Sequence, residues 1–118
     1  FSTKLIEFCA NAGCKKFINT STVWKNYHNT DRPVNLYAAT KNAFEEILKY
    51  YQSSFKLQIV NVYLSDTYGE TDTRNKLIPL LIRTARLNKK IQLSPSNNMI
   101  EILHISDVIE LYFKIIDC

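Results

Sequence analysis

Two glycines, three cysteines and two histidines in 118 residues withhold the material for several common functions. Gly13 and Gly69 stand far apart, so these residues contain no glycine-rich strand–turn–helix, the usual seat of a dinucleotide pyrophosphate at a helix N-terminus. Cys9, Cys14 and Cys118 are odd in number and lack metal-ligand spacing. They predict bystander or buried thiols in a reducing compartment, with no disulfide framework and no metal. No signal peptide is visible, and no apolar run approaches the ~20 residues of a membrane span, which predicts a cytoplasmic protein. The net charge of +4 is mild and its lysines and arginines are scattered. Nucleic acid normally meets a basic stripe with interleaved aromatics, so it is not an expected partner. Small anionic ligands suit the balance better. Repeats, low-complexity runs and flexible linkers are absent as well.

What is present alternates between helical and strand periodicity. Residues 2–12 predict a helix closed by Gly13, and 16–20 a short buried strand. A polar loop through Asn26, Asn29, Thr30, Asp31 and Pro33 leads to a long helix over 35–54. Its apolar positions Leu36, Ala39, Ala43, Phe44, Ile47, Leu48 and Tyr51 recur at helical spacing. Residues 57–64 predict a second strand, 75–88 a helix with Pro79 near its first turn, and 91–93 and 100–104 short strands flanking a turn. Ser106 is the expected cap of a last helix running to about residue 116. The alternation predicts an α/β fold with parallel strands.

The most informative stretch is Tyr37-Ala38-Ala39-Thr40-Lys41. Residues at i and i+4 share a helix face, so a phenol and an ammonium are brought together. A free phenol is a poor acid or base at neutral pH, and a neighbouring ammonium favours its ionised form. Thr20, Ser21 and Thr22 lie upstream at a strand end, where their hydroxyls could bond the substrate oxygen that Tyr37 protonates.

Four segments taken together resemble a known family. They are Phe17-Ile18-Asn19-Thr20-Ser21-Thr22-Val23-Trp24, Asn35-Leu36-Tyr37-Ala38-Ala39-Thr40-Lys41, Asp66-Thr67-Tyr68-Gly69 and Leu103-His104-Ile105-Ser106-Asp107-Val108. In this order they resemble the extended short-chain dehydrogenase/reductases, and among these the NAD-dependent epimerase/dehydratase family acting on nucleotide sugars. The resemblance implies the C-terminal part of a Rossmann-type parallel sheet with a small substrate-binding lobe. Residues 1–66 would finish the cofactor domain, 67–100 would supply part of the lobe, and 101–118 would be a returning strand and helix. The missing glycine-rich turn and the opening in mid-helix suggest a C-terminal portion of a longer enzyme, inactive alone.

The resemblance further implies NAD or NADP as cofactor and a nucleotide-sugar substrate. Tyr37, Lys41 and Thr20 would be catalytic. Tyr37, Lys41, Asn19 and Ser65 would hold the cofactor, and Thr22, Asp66 and Arg74 the substrate. A homodimer through helix 35–54 is implied too, with Phe44, Leu48 and Tyr51 suited equally to that seam or to the core. Ser21 and Thr22 stand where water-eliminating members carry Asp-Glu, which argues against a dehydratase; the resemblance implies a nucleotide-sugar 4-epimerase first, with a keto-sugar reductase of the CDP-dideoxyhexose type as the alternative. Asp66 replaces the usual asparagine and is expected to meet a sugar hydroxyl or pair with a cation. Ile100 replaces a diphosphate-binding arginine, which leaves Arg74 as phosphate ligand. These departures also fit a degenerate, non-catalytic member.

Other residues carry blander expectations. His104 would tie strand to helix, and Asp107 would sit in a first helical turn. Trp24 and Tyr27 are loop aromatics, and His28 carries no signal. Glu45-Glu46 is expected to be a solvated face, since adjacent helical residues do not face each other.

Overall fold

The computed structural model describes residues 1–24, 32–93 and 99–118, and the chain divides into two compact units, Phe1–Ser65 and Asp66–Cys118. The expectations for Tyr27, His28 and most of the polar loop fall outside the described residues, as does the turn at 94–98.

The first unit holds α1 (Ser2–Asn11), β1 (Lys16–Thr22), α2 (Leu36–Phe55) and β2 (Gln58–Leu64). Helix α1 ends in a Schellman closure. The Gly13 N–H donates to the Ala10 carbonyl at 3.2 Å and the Cys14 N–H to the Cys9 carbonyl at 3.0 Å. Gly13 takes φ +74°, a conformation that favours glycine, as its position past the apolar run predicted. The β1 and β2 strands pair in parallel from Lys16↔Gln58 to Thr22↔Leu64, and α2 is the crossover that parallel pairing requires. Asn35 caps α2, its side-chain oxygen accepting the Ala38 N–H at 2.8 Å.

The core of this unit is Ile6, Leu48 and Leu57, each no more than 1% exposed, with Phe17, Phe44, Tyr51 and Ile59 packed against it. Leu48 is thus a core residue, and Phe44 and Tyr51 are half-buried against it.

The second unit holds β3 (Asp66–Tyr68), α3 (Leu77–Arg86), β4 (Ile102–His104) and α4 (Ile105–Asp117). Strands β3 and β4 pair in parallel, Asp66↔Ile102 to Tyr68↔His104. Helix α3 closes on Asn88 at φ 50°, whose N–H donates to the Ala85 carbonyl while the Lys89 N–H donates to that of Thr84. Residues 91–93 form no strand, and β4 starts at Ile102 rather than Ile100. The short strand β3 was invisible to periodicity, because three residues carry no period. Gly69 follows it for a reason of space. A Cβ there would stand 2.9 Å from Ile105 Cγ2, closer than packed atoms allow. His104, not Ser106, caps α4; its Nδ1 accepts the Ser106 N–H at 3.3 Å. His104 thus ends β4 and begins α4, and its ring meets Tyr68 edge-on at 5.1 Å.

Candidate active site

Strand alternation and helix periodicity build the site of the first unit together. One face of the β1–β2 pair looks at α2 through three rungs of register partners. Phe17 and Ile59 join the apolar core. Asn19 and Asn61 come next, the Asn19 amide donating to Asn61 Oδ1 at 2.8 Å. Ser21 and Tyr63 follow at the carboxyl ends, and both hydroxyls bond the Glu45 carboxylate, Tyr63 at 2.9 Å. The surface thus grades from apolar to polar toward the strand ends, where open α/β sheets receive ligands.

Helix α2 brings Lys41 to those ends. Its ammonium donates to the Thr20 main-chain carbonyl at 2.7 Å and stands 5.7 Å from the centroid of the Tyr37 ring. Tyr37 is 54% exposed, open to a ligand. Tyr37, Lys41 and Thr20 are thereby joined through one cation. Thr20 is exposed, whereas Ser21 is 2% and Thr22 3% exposed. The three hydroxyls therefore do not act as a cluster. Ser21 is turned to Glu45, and Thr22 Oγ1 accepts the Trp24 N–H at 3.2 Å.

The cofactor-binding expectations divide as well. Asn19 is 7% exposed, its amide already given to Asn61. Ser65 follows the last residue of β2, and its buried Oγ has no hydrogen-bond partner among the described residues. An orphaned buried hydroxyl is costly unless a ligand or water completes it, so Ser65 fits the cofactor contact expected of it.

Asp66 and Arg74 belong to the second unit. Asp66 accepts from Lys76 Nζ at 2.8 Å, pairing with a cation as one expectation had it. The two line a small pocket with Pro79 and Ile100. The Arg74 guanidinium is held by Asp72 through Nε at 2.7 Å and Nη2 at 2.6 Å, and by the Thr67 carbonyl at 3.0 Å. Its fork is thus filled by a carboxylate before any phosphate arrives. The Arg74 hydrogen bond holds the Asp72 carboxyl down to about 2, well below its ordinary value.

Glu45 is the residue that sequence reasoning missed. Expected in solvent, it is 7% exposed, while Glu46 is on the surface with Lys49 at 2.6 Å. The available signal was its spacing, seven residues after Ala38 and three before Leu48, both buried. Among the thiols, burial and then the neighbouring Cys14 push Cys9 up, away from the thiolate a nucleophile needs. Among the described residues no three His, Cys, Asp or Glu side chains gather to hold a metal ion, and no helix is long and apolar enough to cross a membrane.

The profile of the NAD dependent epimerase/dehydratase family matches residues 1–118. CDP-abequose synthase of Salmonella muenchen is 29% identical over 115 residues, 97% of this chain and 39% of that protein. CDP-abequose synthase of Yersinia pseudotuberculosis is 27% identical over 115 residues, 95% of this chain and 40% of that protein. The chain therefore spans about two-fifths of the length of these curated relatives. The crystal structure of UDP-glucuronic acid 4-epimerase from Bacillus cereus superposes with a TM-score of 0.82 at 21% identity, over 99% of this chain and 40% of that one. That likeness shows the fold, a Rossmann-type α/β arrangement with parallel strands.

Proposed function

Since the chain belongs to the NAD dependent epimerase/dehydratase family, we propose that it forms the acid–base side of a nucleotide-sugar oxidoreductase site, with Tyr37, Lys41 and Thr20 as its catalytic residues. The observation that carries this is the convergence on Lys41, whose ammonium serves the Thr20 carbonyl at 2.7 Å and the Tyr37 ring at 5.7 Å. Strand motif and helix motif share one cation.

NAD or NADP fits the patch, with Tyr37, Lys41 and the unpartnered Ser65 hydroxyl as the groups that would hold it. Asn19 acts from behind, tying the strand ends through Asn61. When bound, the nicotinamide supplies hydride exchange with the sugar carbon. The Tyr37 hydroxyl would give a proton to the sugar oxygen as that carbon is reduced, and the Tyr37 phenolate would take the proton back as it is oxidised. The Lys41 ammonium favours the negative charge left on the phenol oxygen. The Thr20 hydroxyl orients the same sugar oxygen. In this scheme 1–66 is the cofactor side, 67–100 the substrate lobe and 101–118 its returning strand and helix. In the second unit Asp66 would support the sugar and Arg74 would exchange Asp72 for the diphosphate, while the buried Thr22 would act only through its hold on the Trp24 N–H.

Of the possible chemistries, reduction of a CDP-linked keto-deoxyhexose is favoured by similarity to two chains named CDP-abequose synthase. Epimerisation, which the motifs placed first, becomes the second reading. Elimination of water is disfavoured, because the non-ionising Ser21 and Thr22 occupy the places of its acid and base. A homodimer through helix 35–54 would use the exposed Tyr50 rather than the buried Leu48.

The test takes the full-length protein and its Tyr37→Phe variant through CDP-, dTDP- and UDP-linked hexoses and keto-hexoses, following reduced cofactor. Stoichiometric oxidation of NADH or NADPH, lost in Tyr37→Phe, supports the reductase. Sugar interconversion without net cofactor use supports the epimerase. Absence of both binding and turnover means a non-catalytic family member.

A further inference from the structure

Building on the assignment of Tyr37 and Lys41, we propose that Glu45 is a positioning residue that fixes the axial setting of the catalytic helix. Tyr37, Lys41 and Glu45 are spaced four residues apart and so rise in one column along α2. Consecutive residues of β1 hold consecutive turns of that column. The Thr20 carbonyl accepts from Lys41 at 2.7 Å, and the Ser21 hydroxyl bonds Glu45 Oε1. Tyr63, the register partner of Ser21 on β2, adds the third tie at 2.9 Å to Oε2. Both strands are therefore pinned to the helix one turn away from Lys41.

The chemistry of position 45 argues for setting rather than filling. Ala38 and Leu48 continue the same buried stripe, so an apolar side chain at 45 would extend the core. A carboxylate that is 7% exposed is instead costly unless its partners stay in place. One residue of helix rises about 1.5 Å, so any axial slip of that size separates Glu45 from Ser21 and Tyr63. The same slip would move Tyr37 and Lys41 off the reacting atoms, where about 1 Å can cost roughly a hundredfold in rate. Tight axial tolerance is what the carboxylate adds and a leucine would not.

The experiment compares Glu45→Leu, Glu45→Gln, Ser21→Ala and Tyr63→Phe in the full-length protein, with exposed Glu46→Gln as control. Thermal midpoint, fluorescence titration with NADPH and NADH, and kcat and KM for whichever CDP-, dTDP- or UDP-linked sugar the wild type converts are the readouts. Glu45→Leu takes the acceptor from the Ser21 and Tyr63 hydroxyls, so its thermal midpoint should fall; in its folded fraction cofactor affinity falls and kcat drops by about a hundredfold, with sugar KM changed by less than about twofold. Glu45→Gln, which keeps the shape and one acceptor oxygen, should restore most of the loss. Ser21→Ala and Tyr63→Phe each remove one hydroxyl and should fall between; they decide the matter if Glu45→Leu does not fold. Wild-type kcat and cofactor affinity in folded Glu45→Leu, or losses that follow only the unfolded fraction across the series, overturn the proposal. If Tyr37→Phe is inactive while the Glu45 variants are not, only the positioning role fails. Turnover surviving in Tyr37→Phe removes instead the site assignment beneath it.

Discussion

Replacing Lys41 by methionine keeps an unbranched stem of similar length and removes only the ammonium. Two losses follow, and the structure sizes them differently. The hydrogen bond to the Thr20 carbonyl is partly exposed. Water can replace it, so the cost in stability should stay below about 1 kcal/mol. The interaction with Tyr37 acts over 5.7 Å to the ring centroid. For a unit charge developing on the phenol, Coulomb's law gives ~0.7 kcal/mol at the dielectric of water and ~3 kcal/mol at an effective value of 20. Since 1.36 kcal/mol is tenfold in rate, kcat should fall between roughly threefold and a hundredfold. Turnover followed through reduced nicotinamide, beside a thermal melt of the same preparations, measures both quantities. Lys41→Arg keeps the charge but offers a planar fork in place of a point donor, and should recover only part of the rate. A Lys41→Met protein with wild-type kcat would refute the electrostatic reasoning. So would a large drop in melting temperature with full activity in the folded fraction, which would make Lys41 a strap between α2 and β1 and nothing more.

Three further outcomes are expected. Leu48→Ala empties the centre of the first unit's core, where the side chain is 1% exposed, and should cost about 2–5 kcal/mol by denaturant unfolding; below about 1 kcal/mol, the packing around Ile6 and Leu57 must collapse to fill the gap. Gly13→Ala meets nothing within 4 Å, so its penalty is purely conformational, roughly 1–2 kcal/mol at φ +74°, and Gly13→Asn should be milder. Asp72 has its pKa lowered from 3.8 to about 2, so it stabilises the fold above the unfolded value and loses that contribution as pH falls through the folded one. Melting temperatures of wild type and Asp72→Asn should therefore converge as pH drops from 4 toward 2, and a gap that stays constant over that range would exclude the linkage.

Most elements were legible in the sequence because their signals are local. The apolar spacing of Ile6, Phe44, Leu48 and Tyr51, the glycine past α1 and the apolar run of β2 each act within a few residues. Boundaries moved where local signals compete. Ser106 is a good cap by type, yet the chain leaves β4 at His104, and the histidine ring nitrogen takes the helix N–H instead. Residues 91–93 have strand composition and form no strand, since β propensity needs a partner to be expressed.

The candidate site separates along the same line. The Tyr37–Lys41 pair lies on one helix, so the helical repeat alone brought phenol and ammonium together. Which strand atom Lys41 would bond, that Ser21 would turn from ligand to Glu45, and that Ser65 would keep an unpartnered hydroxyl depend on contacts between segments far apart in the chain. Arg74 is the plainest case. Its guanidinium is the right group for a phosphate, and only the folded turn shows that Asp72 already fills its fork. Sequence by itself determined the α/β alternation, the parallel crossover and the placing of Tyr37 and Lys41 on one helix face, because periodicity and spacing are properties of one chain segment. Tertiary structure decided which polar groups are satisfied and which are left for a ligand, because burial and hydrogen-bond partnership exist only between segments.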